Sequence, residues 1–124
     1  MRYDESEFIE VLETLPENGP EGHGISRIFD ITHEGLRLLV TVFQYDRDLA
    51  VSVFQEGCDT PILTRLVRGF TRAGRVVDPS GTEALEVIWP LGIHTKGTVD
   101  VSVKERLLIY LRPKIHIHLS FESD

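Results

Sequence analysis

From residue 25 onward, apolar and polar residues alternate with a period of two along most of the chain. Successive side chains of a β-strand point to opposite faces, so this alternation predicts strands with one face toward a core. The clearest segments are residues 36–44 and 49–55, separated by the short polar turn Tyr45-Asp46-Arg47-Asp48. Two alternating segments joined by a short turn are typical of a β-hairpin.

Further segments extend this β pattern toward both ends of the chain. Residues 74–78 and 83–89 flank Asp78-Pro79-Ser80-Gly81, whose proline and glycine are typical of a turn, and form a second predicted hairpin. The interval 90–97 is predicted to be a loop. The remaining predicted strands are residues 25–31, 99–103, 107–111 and 115–121.

Residues 61–73 fit either a helix or a strand. Thr60-Pro61 is typical of a helix start, and a helix would align Arg65, Arg68, Arg72 and Arg75 as a basic stripe. Gly69 would cost such a helix about 1 kcal/mol. A strand is favoured because neighbouring segments are strands, and the arginines then either bind an anion or pair with acids of the same chain.

The N-terminal segment has a helical pattern instead. Asp4 followed by Glu7 is typical of a helix N-cap with a capping box, and Pro16 marks the end of the helix. Its apolar residues recur at helical spacing and are predicted to face the sheet: Phe8, Val11, Leu12 and Leu15. Residues 4–15 are therefore predicted to form an amphipathic helix.

Together these patterns predict an α+β, mostly β fold. The N-terminal helix packs on an antiparallel meander or sandwich of about eight short strands. The length of 124 residues predicts a single domain, 1–124.

The charge is unevenly distributed. The chain has 20 acidic and 13 basic residues, a formal net charge of −7. Residues 1–22 carry seven of the acids and one base, so this segment holds −6 of the surplus: Asp4, Glu5, Glu7, Glu10, Glu13, Glu17 and Glu21 against Arg2. Such a field repels nucleic acids and anionic membranes and attracts basic proteins, although acidity also serves plain solubility.

The chain has one cysteine, Cys58, and no run of about 20 apolar residues. A lone cysteine excludes an intrachain disulfide, and the polar N-terminus is unlike a signal peptide. These observations predict a cytoplasmic protein that does not span a membrane.

Two histidines suggest a metal site as an alternative. His116 and His118 lie two residues apart on a predicted strand, so both rings point to one face and both could reach one metal ion. His94 is a candidate third ligand. Structural or solvated histidines on an exposed face are the favoured explanation, so no metal and no cofactor are predicted. Phosphate-binding loops and serine-nucleophile motifs are absent from the sequence.

The sequence therefore favours a non-catalytic protein-interaction module, such as an immunity or inhibitor protein that neutralises a basic toxin. The predicted contacts lie on the helix and at the first hairpin tip: Glu10, Glu13, Glu17, Tyr45, Asp46 and Asp48. Two alternatives remain. One is a small metal-dependent enzyme using the histidines. The other is a small-molecule binder on the sheet face, with Trp89 and the arginines as contacts.

Overall fold

The computed structural model describes residues 2–96 and 99–123, and side chains are described except at residues 2, 91–103, 122 and 123. This part of the chain contains one helix and ten strands. In chain order they are β1 (Arg2–Tyr3), α1 (Glu5–Leu12), β2 (Glu17–Asn18), β3 (Arg27–His33), β4 (Leu36–Phe43), β5 (Asp48–Gln55), β6 (Leu63–Val67), β7 (Arg72–Val77), β8 (Glu83–Lys96), β9 (Val99–Tyr110) and β10 (His116–Ser123).

The strands form two five-stranded sheets. One has the order β1-β7-β8-β9-β10 and the other β2-β3-β4-β5-β6. Every neighbouring pair is antiparallel except β1 and β7, which are parallel. The prediction of an α+β, mostly β fold with one N-terminal helix is confirmed.

The buried faces of both sheets share one hydrophobic core. The second sheet contributes alternate residues of β4 and β5, such as Leu38, Val40 and Val51, which have no exposed surface. The first sheet contributes Leu85 and Ile109. Burial therefore follows the period of two seen in the sequence, because alternate side chains of a strand point to the same face.

Helix α1 is shorter than predicted. Its N-cap is Asp4, whose carboxylate accepts hydrogen bonds from the backbone N–H groups of Ser6 and Glu7. Glu13 has a φ of 56° and ends the helix in the left-handed conformation, before Pro16 is reached. Leu15 therefore lies beyond the helix and is 74% exposed, so its prediction as a core residue was wrong.

The helix docks through three apolar side chains and one carboxylate. Phe8, Val11 and Leu12 are buried in the shared core. The Glu7 carboxylate accepts a hydrogen bond of 2.8 Å from the backbone N–H of Arg75. This bond satisfies a backbone N–H of β7 that lies beyond Arg72 and Ala73, the two residues that pair with β1.

The second half of the chain differs most from the prediction. The loop predicted at 90–97 is not observed at residues 90–96, because β8 continues to Lys96 and pairs with β9 from Val99, and residue 97 lies outside the described residues. The predicted strand 99–103 and residues 107–110 of the predicted strand 107–111 are parts of β9. A register shift between Pro90 and Gly92 accommodates the proline, which lacks the N–H that a regular ladder requires.

Residues 61–73 contain the strand β6, as favoured, then a turn and the first two residues of β7. β6 pairs with β5. Gly69 has a φ of 65°, a left-handed conformation that does not occur inside a right-handed α-helix. The four arginines therefore do not align as a helical stripe. The first long strand, β3, begins at Arg27 and extends through His33, whereas the sequence predicted a strand over residues 25–31. The two-residue strands β1 and β2 were not predicted.

Candidate partner-binding site

A cleft of about 450 Å³ lies between α1, the turn before β8 and the segment after β9. We call it the acidic cleft, because three of its polar side chains are glutamates. Its lining residues are Glu10, Val11, Glu13, Thr82, Glu83, Leu111 and Arg112. Two of the predicted contact residues, Glu10 and Glu13, therefore share one site.

Arg112 holds one side of the cleft. Its Nε and one Nη lie 2.6 and 2.7 Å from the two carboxylate oxygens of Glu13, a bidentate pair. This hydrogen-bonded guanidinium lowers the pKa of Glu13 and keeps it ionised at neutral pH. Both side chains remain about half exposed, at 60% for Arg112 and 48% for Glu13. The pair is therefore accessible from solvent.

Arg75 does not line the cleft, but it lies close to two of its glutamates. An Nη of Arg75 donates a 3.0 Å hydrogen bond to Glu83, and its Nε lies 3.4 Å from Glu10 without hydrogen-bond geometry. Hydrogen bonding to Arg75 lowers the pKa of Glu83, and Glu83 in turn raises the pKa of Arg75. Three glutamates thus face two arginines, which leaves the cleft with one net negative charge.

The acidic surplus of the N-terminal segment is consequently reduced within the chain. Arg27 Nε donates a 2.7 Å hydrogen bond to Glu5, in addition to the pairs that Glu10 and Glu13 make. Of the two roles considered for the arginines, internal pairing is observed for Arg75 and for Arg72, which lies 3.0 Å from Glu86. Sequence spacing could not identify Arg112 or Glu83, because both lie far along the chain from Glu10 and Glu13, Glu83 at the start of β8 and Arg112 after β9.

The remaining predicted contacts lie elsewhere. Glu17 is exposed but belongs to β2 rather than to the helix. Tyr45 is 72% exposed at the hairpin tip, where Asp46 is also exposed. Asp48 is half-buried, and its carboxylate accepts a 3.0 Å hydrogen bond from the backbone N–H of Gly69. Asp48 therefore stabilises the turn before β7 as well as the tip.

The tip and the acidic cleft lie toward opposite ends of β4. Next to Arg112, the carbonyl oxygen of Pro113 is 3.3 Å from the ring of His33, which pairs with Leu36 at the start of β4. The tip follows Phe43 at the end of β4. Seven residues of strand separate these points, or about 23 Å. The predicted contacts thus form two patches.

The two histidines of β10 are exposed and on the same face, as their spacing predicts. The ring of His116 stacks on Tyr110, with ring centroids 4.1 Å apart, and its Nδ1 lies 3.0 Å from the carbonyl oxygen of Lys114. The side chain of His94 lies outside the described residues. Among the side chains that are described, no group of three His, Cys, Asp or Glu residues could hold a metal ion.

Asp78 supports this histidine face from the turn between β7 and β8. Its carboxylate accepts hydrogen bonds from the Ser80 hydroxyl at 2.6 Å, the Thr82 N–H at 3.0 Å and the Tyr110 hydroxyl at 2.9 Å. These bonds, led by that of Ser80, lower the pKa of Asp78 to about 2. Burial, followed by the bond to Asp78, raises the pKa of Tyr110. The hydrogen bond to Asp78 holds the Tyr110 ring where it stacks on His116.

Within the described chain, no helix is both long and apolar enough to cross a membrane. Cys58 is exposed, and its thiol is free.

Comparison with known proteins identifies the class of fold. No protein-family model matches the chain, and no curated protein matches its sequence. A solved structure matches with a TM-score of 0.70, and the alignment covers 97% of this chain and 95% of the other. The shared architecture is the mostly antiparallel α+β fold described above.

That structure is a chain of the contact-dependent growth inhibition toxin–immunity protein complex from Klebsiella pneumoniae 342. The two sequences are 16% identical. At this identity, the similarity establishes a common fold.

Proposed function

We propose that this chain is an immunity-type interaction protein that neutralises a basic protein partner by binding it. The observation that carries the proposal is the acidic cleft, in which half-exposed glutamates at the end of α1 and at the start of β8 converge. The structural similarity to a chain of a toxin–immunity complex supports a protein as the partner.

The charge of the chain favours the immunity role over the toxin role. The net charge is −7, and the described surface presents exposed carboxylates at the cleft, on β2 and at the hairpin tip. Acidic proteins associate rapidly with basic partners, because long-range attraction raises the rate of encounter. A basic toxin would be such a partner.

The proposed contacts are the two patches separated by the structure. Glu10 and Glu13 would receive lysine or arginine side chains of the partner, with Glu17 adding negative charge from β2. Exposed ion pairs contribute little to stability, so a partner cation can share Glu13 with Arg112 at small cost. Tyr45, Asp46 and Asp48 would form a second contact for a partner large enough to reach both patches.

We place this function in the cytoplasm. An exposed free thiol such as that of Cys58 persists as a thiol most readily in a reducing compartment.

The first experiment identifies the partner and tests neutralisation. The affinity-tagged chain captures its partner from the native host, and the captured protein is then expressed alone or together with the chain in the same cells. We expect the partner alone to arrest growth and co-expression to restore it. A captured partner that leaves growth unaffected when expressed alone would contradict the immunity role.

The second experiment tests the acidic surface. We expect the association rate with the purified partner to fall steeply as salt is raised, since exposed charges are screened. The triple variant Glu10→Gln, Glu13→Gln, Glu17→Gln should lower the association rate about tenfold at low salt while leaving the fold intact. Stopped-flow mixing at several ionic strengths measures both effects.

A matched triple variant controls for net charge. Glu34→Gln, Glu56→Gln and Asp59→Asn remove three exposed acids that do not line the cleft. This variant should lower the association rate much less than the triple variant of Glu10, Glu13 and Glu17. Equal association rates for the two triple variants would show that only the total charge matters. Binding that is unaffected by salt and by both variants would refute the acidic surface as the binding site.

A further inference from the structure

Three of the four edge strands of the two sheets carry features that hinder pairing with another chain. β1 and β2 are only two residues long. β6 places Arg65 opposite Val51, so a charged residue lies on the core-facing side of that edge. Short edges and inward-facing charges are the usual means by which proteins prevent edge-to-edge association.

β10 lacks these features. It has eight residues, contains neither proline nor glycine, and pairs with β9 on one side. No other described strand pairs with its outer edge. Its residues Ile117, Leu119 and Phe121 share the face of the buried Ile109 and Leu107, yet Leu119 is 38% and Phe121 64% exposed. A long unpaired edge beside exposed apolar side chains is a template for another strand.

We propose that β10 pairs antiparallel with β10 of a second copy of this chain. The two five-stranded sheets would then join into one ten-stranded sheet across a two-fold axis. The backbone N–H and C=O groups of both outer edges would be satisfied, and the exposed apolar residues would be covered.

The strand is complementary to itself in one register. With the two-fold axis at Leu119, Leu119 lies opposite its own copy and Ile117 lies opposite Phe121. His118 then lies opposite Ser120. Apolar residues meet on one face and polar residues on the other, because the alternation along β10 is symmetric about Leu119.

The local charge favours a second copy over a basic partner. Residues 113–121 contain one lysine and two histidines and no acid, in a chain of net charge −7. In the register centred on Leu119, no acid lies opposite another acid, because Glu122, the one acid of β10, lies opposite His116 of the second copy. Two copies therefore approach at this edge without acid-to-acid repulsion, whereas a basic protein is not attracted to residues 113–121. The dimer edge is separate from the acidic residues of the proposed partner site.

Molecular mass in solution tests the dimer. Sedimentation equilibrium of the intact chain should give twice the 14.1 kDa of one copy. Leu119→Lys and Phe121→Lys each place a charge at the proposed joint and should give a single-copy mass with an unchanged circular dichroism spectrum. Leu66→Lys, on the other long edge at a residue 50% exposed, is the matched control and should remain dimeric.

Cross-linking tests the register. In a Cys58→Ser background, Leu119→Cys should form an interchain disulfide under mild oxidation, because its copy lies directly opposite. His118→Cys should not form an interchain disulfide. In this register the two copies of residue 118 lie two strand positions apart, so their Cα atoms are farther apart than the ~7 Å that a disulfide spans.

Three results would overturn the proposal. One is the mass of a single copy at chain concentrations up to about 0.5 mM. This result would overturn the dimer even if Leu119→Lys weakened the binding of a protein partner. Another is a dimer that persists in both folded lysine variants. The third is cross-linking through residue 118 but not through residue 119. If one lysine variant fails to fold, the other decides.

Discussion

At the scale of single residues, Asp78 has the environment with the clearest effect on stability. Its carboxylate accepts hydrogen bonds from two hydroxyls and from backbone N–H groups, which lower its pKa to about 2. The ordinary value is 3.8. The folded state therefore binds the proton of Asp78 more weakly than the unfolded state does. Its contribution to stability is complete above pH ~4 and is lost as the pH falls toward 2.

We expect Asp78→Asn to reduce the loss of stability between pH 4 and pH 2, because the substituted group no longer titrates. Ser80→Ala removes the largest contributor to the pKa shift and should reduce the loss in part. Urea unfolding midpoints at pH 7, 4 and 2.5 measure the effect. If the stability of Asp78→Asn falls with decreasing pH as steeply as that of the wild type, other carboxylates, such as Glu13 and Glu83, account for the pH dependence.

The histidine pair gives a second prediction at this scale. His116 stacks on Tyr110, and the described side chains near the pair do not complete a metal site. We expect a chelator to leave the melting temperature unchanged, and His116→Ala with His118→Ala to purify with the same metal content as the wild type. Stoichiometric zinc in protein purified without added metal would contradict this.

At the scale of elements, helix α1 depends on tertiary packing. It has eight residues, fewer than an isolated helix needs for stability in water. We expect Leu12→Ala to lower the free energy of unfolding by about 2–5 kcal/mol, because Leu12 has no exposed surface and its truncation leaves a cavity.

Leu15 is the matched control for Leu12. It is the same residue type three positions later, but it lies beyond the helix and is 74% exposed. Leu15→Ala should change the free energy of unfolding by less than about 0.5 kcal/mol. Denaturant titration of both variants measures the difference, and equal small effects would show that the helix is not docked.

At the scale of the whole molecule, the two proposed contacts lie in different places, one at a surface cleft and one at a sheet edge. The acidic cleft lies where α1 meets the β7–β8 turn, whereas the open edge of β10 terminates the same sheet on its other side. The proposed partner and the proposed second copy therefore occupy different regions. Loss of the dimer and loss of partner binding can be measured separately, by mass and by association rate.

Much of the fold follows from the sequence alone. The period of two in residues 36–44 and 49–55 predicted β4 and β5, and the polar turn between them predicted their hairpin. The helical spacing of Phe8, Val11 and Leu12 predicted α1. These patterns are local, because each reflects which side of one element faces the core.

Sequence reasoning failed where longer-range contacts decide the outcome. The sequence predicted a loop from residue 90 and two separate strands, 99–103 and 107–111, yet β8 continues through Pro90 and β9 continues through Glu105 and Arg106. Glu86 explains part of this, since it lies on β8, is 6% exposed and pairs with Arg106 across the sheet. A buried charge is tolerated only when a partner from another strand is present, which spacing along one strand does not reveal.

The candidate site shows the same division. The sequence by itself determined that acids are concentrated in the first 22 residues and that Glu10 lies on the polar side of a helix. Only the tertiary structure decided that Glu10 and Glu13 share a cleft with Glu83, that Arg112 lines this cleft, and that Arg75 pairs with its glutamates. It also decided that Tyr45 lies far from the cleft. The physical reason is that hydrophobic periodicity is set within each element, whereas electrostatic neighbours are set by how two sheets and a helix pack together.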